Sequence, residues 1–215
     1  MLNIYGSDLS SPANKVRYVA NYLKIPYEYR RVNLREGEHR KPEFLKLHPA
    51  SKIPVMDDNG FVLFESGAMI KYLAAKEKSA LYPADDKERA LVDQWLDFVS
   101  FHIGDGMARV AYNRLFAPRM GAEVDEKSIQ AGLQFLNRFL PVVENQLSRD
   151  KYLVGDVLTL ADFTLLAVLD PAELAQIDLS SYQNISRWRN TLRQQEFYTR
   201  CHKEYGEALM AGKKA

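Results

Sequence analysis

The 215-residue chain is predicted to fold as an α/β unit followed by an all-α unit. Three observations predict this. Residues 1 to about 77 alternate short apolar runs with helical patterns in the order β-α-β-α-β-β-α. The segment 78–86 loses periodicity and carries a proline, and from residue 87 onward the apolar spacing is helical. The length exceeds the roughly 100 to 150 residues of a typical domain, which suits two compact units, 1–77 and 87–210, joined by a linker at 78–86.

Leu2 to Tyr5 is a short apolar strand, and Gly6-Ser7-Asp8-Leu9-Ser10-Ser11-Pro12 is a turn-forming loop. Val16 to Leu23 repeats apolar residues at helical spacing, Ile25-Pro26 follows, and Tyr27 to Asn33 forms the second strand. A polar stretch from Leu34 to Lys41 leads to Pro42-Glu43-Phe44-Leu45. Pro54 has no backbone donor and holds Ile53 extended, so the backbone of Ile53 can face outward as a short unpaired edge that a peptide ligand can join. Asn59-Gly60, between Val55-Met56 and the run Phe61 to Phe64, is a hairpin signal that delivers Glu65-Ser66 to the start of a helix, Gly67 to Lys76. Free N–H groups at that start attract a carboxylate, Ser66 adds a hydroxyl, and Glu65 complements an ammonium. Together they match the head of an amino acid. Taken one at a time, Ser66 reads equally as a helix cap and Pro54 as the start of a strand.

Glu77 to Asp86 has no periodicity and ends in aspartates that favour a helix start. Lys87 to Leu115 then places Leu91, Trp95, Phe98, Val99, His102, Ile103 and Met107 at helical spacing. Gly104 and Gly106 cost about 1 kcal/mol each inside such a helix, so either it bends there or something approaches its surface closely. Glu126 to Leu147 is a second long amphipathic helix despite Pro141. Thr159 followed by Asp162 has the spacing of a capping box, directly before the apolar helix Phe163 to Leu169. By itself that is a common helix start. The tail Gly212 to Ala215 is expected to fray.

Lys and Arg number 29 against 28 Asp and Glu, a formal charge of +1, so no global field draws the protein to nucleic acid or membrane. The basic runs at Arg30-Arg31 and at Arg187, Arg189 and Arg193 are short and suit solvated faces. There is no apolar stretch of about 18 residues and no positive-then-apolar N-terminus, which points to the cytoplasm. Cys201 is the single cysteine, so no intrachain disulfide forms; it has no nucleophile motif and reads as an ordinary, partly buried thiol. His39, His48, His102 and His202 are scattered without metal-ligand spacing, and no metal is expected.

The strand–turn–strand–Glu65-Ser66–helix pattern after Ile53-Pro54, and the element order before it, resemble the thioredoxin-like domain of cytosolic glutathione S-transferases. Gly155-Asp156-Val157-Leu158-Thr159-Leu160-Ala161-Asp162-Phe163 resembles the buried capping motif of their helical domain, so the resemblance runs from Leu2 to about Glu207. It is to the serine-type members, delta-, theta- and phi-like, in bacterial style. What it implies is a cytoplasmic, homodimeric detoxification enzyme with glutathione as co-substrate and a small hydrophobic electrophile or peroxide as its partner, needing no metal, nucleic acid or membrane. The same fold also serves non-catalytic interaction modules of translation and transcription. Glutathione-dependent isomerases and dehalogenases share the first domain; Ser10-Ser11 is similar to the isomerase class, but Pro12, Ala13 and Asn14 replace the Cys and aromatic residues that follow there.

The resemblance assigns roles residue by residue. A thiol of pKa near 8.5 is only a few per cent thiolate at neutral pH, and lowering that pKa by about two units takes roughly 2.7 kcal/mol. Ser10, two residues before Pro12, stands where the thiol-activating serine is expected; Ser11 is its rival, or else the cap of a helix starting at Pro12, and Tyr5 is an outside candidate. Ile53 matches the residue whose backbone pairs with the cysteinyl unit, Pro54 the adjacent cis-proline, and Glu65 and Ser66 the γ-glutamyl grip. Lys52 and His39 are matched to the glycyl carboxylate, and Asp105 to a carboxylate that reaches the glutathione amino group of the partner subunit. Gly67 departs from the arginine many relatives carry. Leu9, Met107, Val110, Ala111 and Phe116 are expected to line the electrophile pocket, with the small residues Gly104, Gly106 and Ala111 leaving it room.

Overall fold

The computed structural model describes residues 1–207 and contains two compact units, Met1–Tyr82 together with the chain from Gln195, and Pro83–Gln194. The first break lies inside the segment 78–86 read as a linker. The second corrects the sequence reading: periodicity assigns 87–210 to the helical domain, whereas the chain from Gln195 belongs to the first unit. Positions 208–210 and the tail Gly212 to Ala215 lie outside the described residues.

In the first unit β1 (Leu2–Gly6), β2 (Tyr27–Arg31), β3 (Val55–Asp58) and β4 (Phe61–Phe64) form one sheet in the order β2-β1-β3-β4. β1 runs parallel to β2 and antiparallel to β3, and β3 runs antiparallel to β4. Asn59 and Gly60 have φ of 54° and 92°, the left-handed pair a two-residue hairpin turn requires, and the Gly60 N–H donates to the Asp57 carboxylate at 2.7 Å.

α1 (Ser11–Tyr22) is the central helix of this unit, buried from Ala13 through Asn21, polar residues included. It packs against β1, α3 (Ser66–Lys76) and α9 (Glu196–Thr199), while α2 (Pro42–Leu45) is a single turn. Asn21 donates from Nδ2 to the Phe197 carbonyl at 3.0 Å and to Cys201 Sγ at 3.2 Å, and the Tyr18 hydroxyl bonds His202 Nε2 at 2.9 Å. Those bonds draw the chain end back onto α1. A buried polar group demands a partner, and Arg17, Tyr18 and Asn21 of this helix find theirs in residues 197 to 202.

The second unit begins with α4 (Asp86–Phe98), capped by the Asp85 carboxylate on the Lys87 and Glu88 N–H groups. A π-helical turn at Val99–Ile103 separates it from α5 (Gly104–Ala111), and a second, Tyr112–Phe116, follows. α6 (Glu126–Arg149) runs through Pro141, α7 (Leu160–Leu169) is buried on nearly every face, and α8 (Gln183–Arg193) follows. Among the described residues no helix is long and apolar enough to cross a membrane.

α5 and α6 meet at a glycine pair. A Cβ on Gly132 would lie 2.7 Å from the Gly106 carbonyl oxygen and 2.9 Å from Val110 Cγ2; one on Gly106 would lie 3.0 Å from the Gly132 oxygen. This corrects the expectation that Gly106 leaves room for a substrate: its space is filled by the backbone of α6, and Gly104 likewise faces the Val99 carbonyl and Val168. Gly132→Ala is expected to destabilise the protein by about 1 to 3 kcal/mol, since the obstacle is backbone rather than a movable side chain. A urea midpoint equal to that of the wild type would refute the contact.

Candidate active site

Strand pairing gathers the candidate residues. Tyr5 stands opposite Val55, and Val55 opposite Phe64. The loop after Gly6, the Ile53-Pro54 peptide and Glu65-Ser66 therefore all leave the sheet at one end. α1 and α3 begin at that same end, so two helix N-termini with their unpaired N–H groups face a common region.

Ser10 is the N-cap of α1 and Ser11 lies within its first turn, so the reading of Ser11 as cap is corrected. The Ala13 N–H donates to Ser10 Oγ at 3.3 Å, which leaves the Ser10 proton for another acceptor. The loop around it is tied down. Ser10 N–H donates to the Ser7 carbonyl at 2.9 Å, Asn14 Nδ2 to the Asp8 carbonyl at 2.8 Å, and the Asp8 carboxylate joins Arg17 at 3.1 Å and Arg31 at 2.8 Å. Tyr5 is engaged elsewhere: it packs with Phe44, Val32 and Val55, its ring edge-on to Phe44 at 6.4 Å.

Glu65 occupies the cap position of α3 with φ 71° and ψ 104°, and no side chain caps the helix. Ser66 is the first helical residue, so the helix starts one residue earlier than the sequence pattern suggests and Ser66 is not its cap. A non-glycine residue in this conformation costs about 1 to 3 kcal/mol, and such strain concentrates at functional sites. Gly or Asn would be the cheaper choice for a turn alone; the structure holds a glutamate there instead, with its side chain exposed. A Cβ on Gly67 would meet nothing within 4 Å, so crowding at the backbone does not require glycine there.

One residue here escapes sequence reasoning. Lys15, in the second turn of α1, is buried, and that burial pushes its ammonium down to about 8; attraction to Glu65 opposes the shift and repulsion from Lys71 adds to it. Lys15 thus lies within the fields of both Glu65 and Lys71. The available signal was indirect: Asn14, Lys15, Arg17 and Asn21 share a helix that must cover a sheet, so some of them had to be buried.

The Ile53-Pro54 peptide is cis, and β3 begins only at Val55, which leaves Ile53 beyond the ladder. Ser51 Oγ donates to the His39 carbonyl at 2.7 Å, which ties the residue before Lys52 to the backbone of His39. His39 Nδ1 is buried without a partner among the described residues, and burial, with the nearby Arg40 charge, lowers the pKa of the ring. Lys52 is exposed.

In the helical unit the Asp105 carboxylate pairs with Arg109 one turn on, at 2.7 Å. Val110 is fully buried against α6, correcting its assignment to a pocket lining. Met107 and Ala111 are buried, while Phe116 and, in the first unit, Leu9 are partly exposed. A surface concavity of this unit near Asn113, Arg114 and Gln176 is structural: Asn113 bonds the Arg109 carbonyl and the Asp125 N–H, and Arg114 the carbonyls of Ala175 and Gln176. Among the described residues no group of three or more His, Cys, Asp or Glu is placed to hold a metal ion.

Comparison with known proteins agrees with this geometry. The family model of the glutathione S-transferase N-terminal domain matches residues 9–76, and that of the C-terminal domain residues 103–196. Glutathione transferase F2 from Populus trichocarpa is 28% identical with a TM-score of 0.86, the match covering 94% of this chain and 97% of that one. A delta-class glutathione transferase from Nilaparvata lugens is 32% identical with a TM-score of 0.80, covering 94% and 93%. Glutathione S-transferase-I, solved with the ligand lactoylglutathione, is 27% identical with a TM-score of 0.85, covering 93% and 97%. With two family domains in order and relatives above 30% identity over nearly the whole length, the chain belongs to the cytosolic glutathione S-transferase family.

Proposed function

We propose that the protein conjugates glutathione to small apolar electrophiles, with Ser10 stabilising the thiolate. The observation that carries this is the convergence of Ser10, Ile53-Pro54 and strained Glu65-Ser66 at one sheet end, beneath two helix N-termini. The γ-glutamyl carboxylate meets the free N–H groups and hydroxyl at Ser66, its ammonium meets Glu65, the cysteinyl backbone pairs with Ile53, and the glycyl carboxylate is received by Lys52 and His39. The thiol proton leaves to solvent. The Ser10 hydroxyl then donates to sulfur, whose lone pair forms a bond to the electrophilic carbon as the leaving group departs with its electrons. With a peroxide, the lone pair forms an S–O bond as the O–O bond breaks, the alkoxide takes a proton from water and leaves as the alcohol, and a second glutathione reduces the sulfenic acid to the disulfide with release of water. Leu9, beside Ser10, meets the electrophile, and Met107, Ala111 and Phe116 are the apolar residues assigned to the same role in the helical unit.

The reading includes a cytoplasmic two-fold dimer in which Asp105 turns from Arg109 toward the ammonium of glutathione on the partner subunit. Exposed apolar side chains support the dimer: Phe61 and Phe64 on β4, and Phe101, which is 69% exposed.

Calorimetry with glutathione tests the site. A charge-assisted hydrogen bond contributes about 1.5 to 3 kcal/mol, so Glu65→Ala should weaken binding about 10- to 100-fold, and a glutathione analogue without the α-amino group should bind the wild type as poorly. Absence of heat and of any thermal shift with millimolar glutathione would contradict the proposal and favour a non-catalytic interaction module.

A further inference from the structure

The far end of the chain reaches the loop that carries Ser10. The Tyr205 hydroxyl donates to the Leu9 carbonyl at 2.6 Å across 196 residues of sequence, and Tyr205 is itself buried. We propose that Tyr205 is a positioning residue for Ser10, acting through the Leu9–Ser10 peptide; the inference rests on the reading of Ser10 as the donor to sulfur.

The hydrogen bonds of the loop isolate this contact. The Ser7 carbonyl accepts from Ser10 N–H, the Asp8 carbonyl from Asn14 Nδ2, and the Ser10 carbonyl from Asn14 N–H, all within the loop or the first turns of α1. The Leu9 carbonyl, by contrast, accepts from the C-terminal segment. The peptide between Leu9 and Ser10 is thus held at both polar ends, its N–H by Ser7 and its C=O by Tyr205. A rotation of that peptide plane, which would redirect the Cα–Cβ bond of Ser10, must break both bonds. Inside the loop the contact from Ala13 N–H to Ser10 Oγ is long, 3.3 Å, and restrains the hydroxyl weakly.

Tyr205 is in turn located by α1. Its ring meets His202 edge to face at 5.7 Å, His202 bonds the Tyr18 hydroxyl at 2.9 Å, and Arg17 spans from the Cys201 carbonyl at 3.3 Å to Asp8 at 3.1 Å. The helix whose first turn presents Ser10 therefore also anchors the segment that pins the residue before it. A hydroxyl that must meet a sulfur within hydrogen-bond range gains from such fixing, because small misplacements are costly.

Tyr205→Phe keeps the ring and removes the donor. The expected result is an unchanged KM for glutathione, a bound-thiol pKa raised by about half a unit to one unit, and a kcat at pH 6.5 lowered about two- to fivefold. Combined with Ser10→Ala, Tyr205→Phe should add no further shift, because its effect passes through Ser10. A pH profile superimposable on that of the wild type overturns the inference, as does a shift that persists undiminished beside Ser10→Ala. If the wild type ionises glutathione and Tyr205→Phe behaves identically, this inference alone falls; if the wild type does not ionise bound glutathione, it falls together with the reading of Ser10.

Discussion

Asp162→Ala should destabilise the helical unit by about 2 to 4 kcal/mol at pH 7, more than the loss of a helix cap alone would cost. The Asp162 carboxylate is fully buried and accepts four bonds, from Leu153 N–H at 3.0 Å, Trp188 Nε1 at 3.2 Å, and the N–H and hydroxyl of Thr159 at 3.0 and 3.2 Å. Alanine leaves four donors stranded in the core, whereas Thr159→Ala removes one donor and costs about 1 to 2 kcal/mol. Burial pushes the Asp162 carboxyl up from 3.8 to about 6, the four donors opposing it. Because the folded state binds this proton more tightly than the unfolded state, the contribution of Asp162 is greatest below about pH 4 and declines as pH rises through 6. The deficit of Asp162→Ala should therefore narrow over that interval. Urea melts at pH 4.5 and 7 check both points, and equal midpoints for mutant and wild type would mean the network contributes nothing.

Ser10→Ala should reduce turnover about 10- to 30-fold at pH 6.5 with little change in glutathione affinity. If the enzyme lowers the thiol pKa from 8.5 to about 6.5, half of the bound ligand is thiolate at that pH, against about 1% for the free thiol. Of the roughly 2.7 kcal/mol this requires, a hydroxyl donating to an anion can contribute about 1.5 to 3, and a helix N-terminus about 0.3 to 1. The hydroxyl decides the outcome. Affinity is retained because the contacts at Glu65, Ser66, Ile53 and Lys52 are untouched. Loss of activity in Ser11→Ala with Ser10→Ala active would move the assignment one residue along, and it is the N-cap geometry of Ser10 that argues against this.

Much of the first unit was legible because its turns are written in residues with restricted conformations. Asn59-Gly60 fixed the hairpin and Pro54 marked the edge beside Ile53; in the second unit the spacing of Thr159 and Asp162 marked the buried helix start. Other features depend on partners distant in sequence. Gly106 reads as a weak point in a helix until Gly132 is placed against it, and Val110 as pocket lining until α6 covers it. Lys15 and Asn21 carry no mark of burial in their own segment, and the return of residues 197 to 202 to α1 depends on Asn21, Arg17 and Tyr18 needing partners. Nor does a glutamate announce a positive φ: the strain at Glu65 is visible only in the folded backbone.

The most direct test of the central claim is the ultraviolet absorbance of the glutathione thiolate bound to the wild type and to Ser10→Ala, titrated from pH 5 to 9. The account predicts a midpoint about two units below that of free glutathione for the wild type and a return most of the way to the free value in Ser10→Ala, with glutathione still bound. Coincident, lowered midpoints in the two proteins would contradict it, assigning the ionisation to the backbone N–H groups and helix N-termini rather than to Ser10.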